Sequence, residues 1–210
     1  IRPVSVATGT NALGFTSLEN EVRLPHVPVE GTLPTWLGGS LLRNGPAKFE
    51  VGSQPFNHWF DGLAMLHAFG FRKGKVSYAN RFLHSSAYDA WKQEGVIKYS
   101  EFATDPCRSV FSGVASIPII APLPNANVSL ERFAGTFVAH TEIPIPIRFD
   151  PKTLDTIGVQ QSLQGTGILG TAHPHVDGAT GERFSYEVDL IPPTTGYRVL
   201  VRGGSAGAGP

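Results

Sequence analysis

Glycine and proline occur 24 and 17 times in 210 residues, so about one position in five interrupts regular backbone. Proline removes a helix donor and clashes with the preceding turn, and glycine is entropically costly inside a helix, so this density leaves little room for long helices. Between the breakers lie runs the length of single strands: Gly39–Arg43, Lys75–Ala79, Thr136–His140 and Tyr197–Val201, the last alternating cleanly. Short strands recurring every 8–12 residues or so predict an all-β chain arranged as a sandwich, barrel or propeller, and periodicity alone does not choose among these. One helix is predicted, at Ser86–Glu94, opened by a serine cap and carrying Ala87, Ala90 and Trp91 on one side.

With 41% hydrophobic residues the chain can bury a substantial core. Its 17 basic and 17 acidic side chains cancel, so net charge does not favour nucleic acid as a partner. The single cysteine, Cys107, excludes both an internal disulfide and a cysteine metal cage, and reads as a structural thiol in a cytoplasmic protein. No apolar run reaches the roughly eighteen residues of a membrane span, and Ile1 to Val4 do not open a signal peptide. The uncharged stretch Val110–Pro124 reads equally as a buried connection or as an apolar loop dipping into a membrane surface.

Pro144 and Pro146 exclude a regular central strand over Ile143–Ile147, and Asp150-Pro151 opens a turn over Phe149–Leu154. Residues 1–202 are expected to form part of one domain. Residues 203–210, rich in glycine and alanine, read as a flexible tail.

The seven histidines, His26, His58, His67, His84, His140, His173 and His175, are the inventory for any metal site. In Thr171-Ala172-His173-Pro174-His175 the two imidazoles would share a face of an extended strand, although Pro174 bends that geometry; turn or surface histidines are the alternative. Glu142 is placed to orient the free N–H of a metal-bound imidazole, or else is a solvated acid at a strand end. His140 reads as packed or solvent-facing. His58-Trp59-Phe60-Asp61-Gly62 reads as a tight turn between two strands, with His58 and His67 hydrogen-bonded in the core or at a pocket rim. The G-x-S-x-G elbow, the H-E-x-x-H helix and the phosphate-binding P-loop are all absent.

In order along the chain, Leu41-Leu42-Arg43-Asn44-Gly45-Pro46, His58-Trp59-Phe60-Asp61-Gly62, Asn80-Arg81-Phe82, Asp105-Pro106-Cys107, Thr141-Glu142, Phe149-Asp150-Pro151-Lys152-Thr153-Leu154 and Ala172-His173-Pro174-His175 resemble the N-terminal landmarks of the carotenoid cleavage oxygenases. That family takes in the retinal isomerase of the pigment epithelium and the stilbene-cleaving dioxygenases. The resemblance implies a seven-bladed β-propeller, of which this chain would be roughly the first half or more. At about 40–45 residues per blade it would make about four to five blades. It further implies an Fe(II) ion held by four histidines, with His173 as the one ligand that transfers and Glu142 as a catalytic glutamate behind the ligands.

The implied reaction is cleavage by O2 of a double bond in a lipid-soluble carotenoid or apocarotenoid, with Val110–Pro124 as a peripheral membrane contact. Stilbene cleavage is disfavoured because Thr141 stands where those relatives carry a lysine. An isomerohydrolase, or a non-catalytic propeller fragment or binding module, are the competing readings.

Overall fold

In Leu63-Ala64-Met65-Leu66 four consecutive apolar residues are each at most 1% exposed. A strand reads as an unbroken apolar run when both its faces are covered, and here alternate residues enter two different cores. Ala64 and Leu66 pack with Leu83, Ala139, Ile147 and Phe149, whereas Leu63 and Met65 pack with Ala47, Val51, Phe56 and Phe82. The computed structural model describes residues 12–104, 121–189 and 195–203.

Around this run the chain builds antiparallel sheets in sequence. The first comprises β1 (Arg23–Val27), β2 (Gly39–Lys48), β5 (Leu63–Arg72) and β6 (Lys75–Phe82), in the order β1-β6-β5-β2, with a small hairpin of β3 (Glu50–Val51) and β4 (Gln54–Pro55) between. Helix α1 (Ser86–Glu94) follows, capped by Ser85 Oγ accepting from Tyr88 N, 3.1 Å, and ended by Gly95 at φ 69°. Ala87, Tyr88 and Trp91 of α1 cover the core beneath Met65 and Phe82.

The second sheet is a meander of β7 (Ser129–Phe133), β8 (Thr136–His140), β9 (Ile147–Phe149) and β10 (Thr156–Val159). The third holds β11 (Leu169–Gly170), β12 (His175–Val176), β13 (Arg183–Asp189) and β14 (Gly196–Arg202). The three successive four-stranded sheets bear out the all-β, propeller-type reading.

The expected strands lie within β2, β6, β8 and β14, and the expected helix is α1. Ile143–Pro146 are outside strands, and Asp150 Oδ1 closes the predicted turn by accepting from Lys152 N at 2.7 Å and Thr153 N at 3.1 Å. Two expectations need correction. Three four-stranded sheets, not four to five, occupy the described residues, because the β3–β4 hairpin, α1 and the loops between sheets consume chain beyond the blade repeat. The His58–Gly62 segment is a 3-10 turn rather than a tight two-strand turn: His58 Nδ1 accepts from Phe60 N at 3.1 Å, and Asp61 Oδ2 accepts from His58 N at 3.0 Å. Cys107, residues 110–120 of Val110–Pro124 and the tail 204–210 lie outside the described residues.

The second and third sheets are joined by a buried ionic cluster. Glu131 of β7 meets His140 Nε2 of β8 at 2.8 Å and accepts from Arg183 Nε of β13 at 2.7 Å. Burial alone would raise the Glu131 pKa, but hydrogen bonds from His140 and Arg183 outweigh it and hold the carboxyl below its usual range. A carboxylate with a lowered folded-state pKa stabilises the fold above its unfolded value and loses that contribution as acid titrates it.

Glu131→Ala leaves Arg183 buried without its partner and is expected to cost about 3–5 kcal/mol in urea denaturation at pH 7. The gap to wild type is expected to shrink below about pH 4. A loss under about 1 kcal/mol at pH 7 would show that the cluster does not hold the sheets together.

Candidate functional site

β13 has two hydrogen-bonding edges. One pairs with β14 along its whole length, and β11 and β12 share the other, with Gly170 opposite Glu187 and His175 opposite Phe184. Two residues of β13, Ser185 and Tyr186, therefore face four on the partner, Thr171 to Pro174. β11 and β12 are one edge strand interrupted by a two-residue bulge, and bulges re-aim side chains. Pro174 suits it, having no N–H to leave unpaired in a broken ladder.

The bulge is tied down at both ends. Gly170 N donates to Glu142 O at 2.6 Å, Thr171 N to Tyr186 O at 3.0 Å and His173 N to Thr171 Oγ1 at 3.0 Å, while the Ser129 hydroxyl donates to Ala172 O. Ala172 is buried and His173 exposed. The structure thus brings the segments of Glu142 and His173 side by side. The Glu142 carboxylate is exposed and accepts from Thr141 Oγ1 at 3.0 Å. No hydrogen bond joins it to the His173 ring among the described residues.

The loop ahead of the bulge is held by Glu187 of β13, whose carboxylate accepts from Thr166 N at 3.2 Å and Gly167 N at 2.9 Å. Only glycine fits there: a Cβ on Gly165 would collide with that carboxylate, and one on Gly167 would lie 2.8 Å from Glu187 Cβ.

The remaining histidines are mostly committed elsewhere. His140 is buried against Glu131, and His58 caps its own turn. His67 Nδ1 lies 2.7 Å from Tyr78 Oη, its pKa lowered by burial and by Arg43. His84 stacks on Tyr88 at 4.5 Å, while His26 and His175 are exposed. Among the described residues no three His, Cys, Asp or Glu side chains converge as a metal site. One imidazole and one nearby carboxylate do not fit a complete iron site. His173 fits the part of a single donor in a larger set.

Next to Glu142 lies a cavity of about 200 Å³, lined by Phe60, Glu101, Phe102, Thr141, Ile143 and Leu169 among others. Glu101 escaped sequence reading because nothing around it distinguishes it from a surface acid. Asn125 and Asn127 were also missed. Asn125 Oδ1 accepts from Ala64 N at 2.8 Å, and both side-chain amides donate to Gly62 O at 2.9 Å, fixing the 3-10 turn against the loop that leads into β7. Their cue was an Asn-x-Asn pair beside a proline, in a loop that sequence reading left as a bare connection.

The family model described as retinal pigment epithelial membrane protein matches residues 15–207, and the chain belongs to this family. It is 38% identical to the mitochondrial carotenoid-cleaving dioxygenase of Pongo abelii, over 85% of this chain and 36% of that protein. It is 39% identical to the beta,beta-carotene 15,15'-dioxygenase of Rattus norvegicus, over 72% of this chain and 28% of that one. The chain therefore spans about a third of the length of these relatives. In fold it resembles a mutant of Synechocystis apocarotenoid oxygenase, with a TM-score of 0.74 at 23% identity over 91% of this chain and 44% of that one. It also resembles the cobalt-substituted form of that oxygenase, with a TM-score of 0.71 at 24% identity over the same shares. No helix among the described residues is long and apolar enough to cross a membrane.

Gly165→Ala is expected to lower stability by about 1–3 kcal/mol, as overpacking does, by pushing the Glu187 carboxylate off the loop amides. Thermal unfolding of the variant checks this, and an unchanged midpoint would mean that the loop accommodates the methyl group.

Proposed function

We propose that this chain is the N-terminal part of an iron-dependent oxygenase that cleaves a carbon–carbon double bond of a carotenoid or apocarotenoid with O2. The observation that carries the reading is the bulge that frees His173 beside Glu142, in a chain whose relatives are named carotenoid dioxygenases. His173 would supply one neutral nitrogen to iron, with the other donors coming from residues outside this stretch. Ferrous iron held by imidazoles supplies open positions for dioxygen beside a bound alkene.

The protein's own work is positional. Glu142 is held by its carbonyl to Gly170 and by its carboxylate to the Thr141 hydroxyl, and so stands ready to accept a ring N–H from a histidine brought against it. Phe60, Phe102, Ile143 and Leu169 give the adjoining cavity apolar walls, which suit a hydrocarbon chain. Protein of this kind would act as a soluble or surface-associated enzyme, with 110–124 as the segment to test for membrane contact.

A second reading, a fragment or binding module without catalysis of its own, draws on the lack of three convergent donors among the described residues. Iron titration of this 210-residue chain separates the two: tight stoichiometric binding would count against the second reading. In the full-length protein His173→Ala is expected to abolish cleavage, and Glu142→Gln to reduce iron affinity or turnover by about 10–100-fold. Aldehyde yield from a carotenoid substrate is the measurement. Wild-type turnover by the His173 variant would refute the assignment.

A further inference from the structure

We propose that Glu101 is a substrate-recognition acid, whose carboxyl group donates a hydrogen bond to an oxygen at the end of the polyene and so favours hydroxyl- or aldehyde-ended substrates over hydrocarbons. The proposal rests on the carotenoid reading above and narrows its substrate class.

The cavity's size sets what enters it. About 200 Å³ is below the roughly 300–1,000 Å³ of a site that encloses a whole drug-sized ligand, so this space takes the end of a long substrate. A hydrocarbon end needs only apolar walls, yet the acid Glu101 is among the residues that line them.

Glu101 is set there by its backbone and by Asp61. Its N–H donates to Thr104 O at 2.9 Å, and the loop from Glu101 to Thr104 is fastened by Ala103 N and Thr104 Oγ1 donating to Asp61 at 3.0 and 2.7 Å. Asp61 also accepts from His58 N at 3.0 Å, so a wholly buried carboxylate is saturated by donors. On the same loop Phe102 is 73% exposed and stacks its edge on Phe60, ring centroids 5.8 Å apart.

Glu101 Oε1 has no such donor: it is enclosed and has no hydrogen-bond partner among the described residues. Burial first, and then the charge of Asp61, push the Glu101 pKa up to about 8. At neutral pH it is therefore an uncharged acid with one O–H to give, in a cavity it shares with the Glu142 carboxylate. Those two neighbouring carboxylates disfavour an anionic ligand, and the apolar walls disfavour a strongly hydrated one. A neutral hydroxyl or carbonyl oxygen on a hydrocarbon body meets every condition. A site that leaves a polar group unpaired rejects a ligand lacking its partner, which is how such a group becomes selective.

The test measures binding in the full-length protein by polyene absorbance and tryptophan quenching, using a hydroxyl-ended carotenoid and the hydrocarbon carotenoid of equal length in matched detergent. Wild type is expected to prefer the hydroxyl-ended ligand by about 10-fold or more at pH 7, since the site is built around a hydrogen bond. Glu101→Leu should shrink that preference to within about 2-fold, chiefly by weakening the hydroxyl-ended ligand, whereas Glu101→Gln, whose amide still donates, should retain most of it. Raising the pH past about 8 should erode the wild-type preference and leave the glutamine variant unchanged. An undiminished preference in the leucine variant would overturn the role of Glu101 while leaving the carotenoid reading intact. Failure of the wild type to bind either polyene would overturn both.

Discussion

Everything near the candidate site hangs on the buried meeting of Glu131, His140 and Arg183. β7 and β8 supply the first two and β13 the third, so the cluster is a joint between two sheets rather than a feature of either. Two residues beyond His140 comes Glu142, and on the edge of β13 opposite β14 sits the bulge that carries His173. A joint that slipped would separate those residues. Ion pairs of this kind contribute little net stability against apolar replacements, but breaking one side of them is costly, so they specify one arrangement strongly. The backbone bond from Gly170 N to Glu142 O, 2.6 Å, then sets the register between the two segments locally.

The strands were legible where one rule decides. Thr136–His140 is flanked by Ala134-Gly135, which take φ 48° and 76° in the hairpin turn, and its predicted limits are those of β8. The helix was legible for the same reason, since spacing, serine cap and terminal Gly95 agree. His58–Gly62 misled because Asp-Gly is a hairpin signal, whereas here Asp61 turns inward to accept from His58, Ala103 and Thr104. Two of those three partners lie more than forty residues away, outside any local pattern.

The blade count failed for a related reason. A repeat length averages over inserted elements, and this chain spends residues on the β3–β4 hairpin, on α1 and on the proline-rich passage before β7. The bulge was equally invisible: Thr171 to His175 reads as two histidines on one strand face, and only pairing with β13 reveals two surplus residues there. Glu101 lies furthest from legibility, because its environment is made by Asp61 and by a loop fastened to it.

The seven histidines differ in what their ring nitrogens meet and in how their backbone is held. A metal ligand needs one free ring nitrogen, with the other oriented by a hydrogen bond. His140 has spent Nε2 on Glu131, His58 has spent Nδ1 on Phe60 N, and His67 Nδ1 lies against Tyr78. His84 is stacked on Tyr88, and exposed His26 lies on β1, at the outer edge of the first sheet. His175 has returned to regular pairing opposite Phe184, on the strand rather than on the bulge. His173 combines exposure with a backbone held by Ser129 through Ala172 and by Thr171 Oγ1. At His173 the fold fixes the peptide and leaves the side chain exposed.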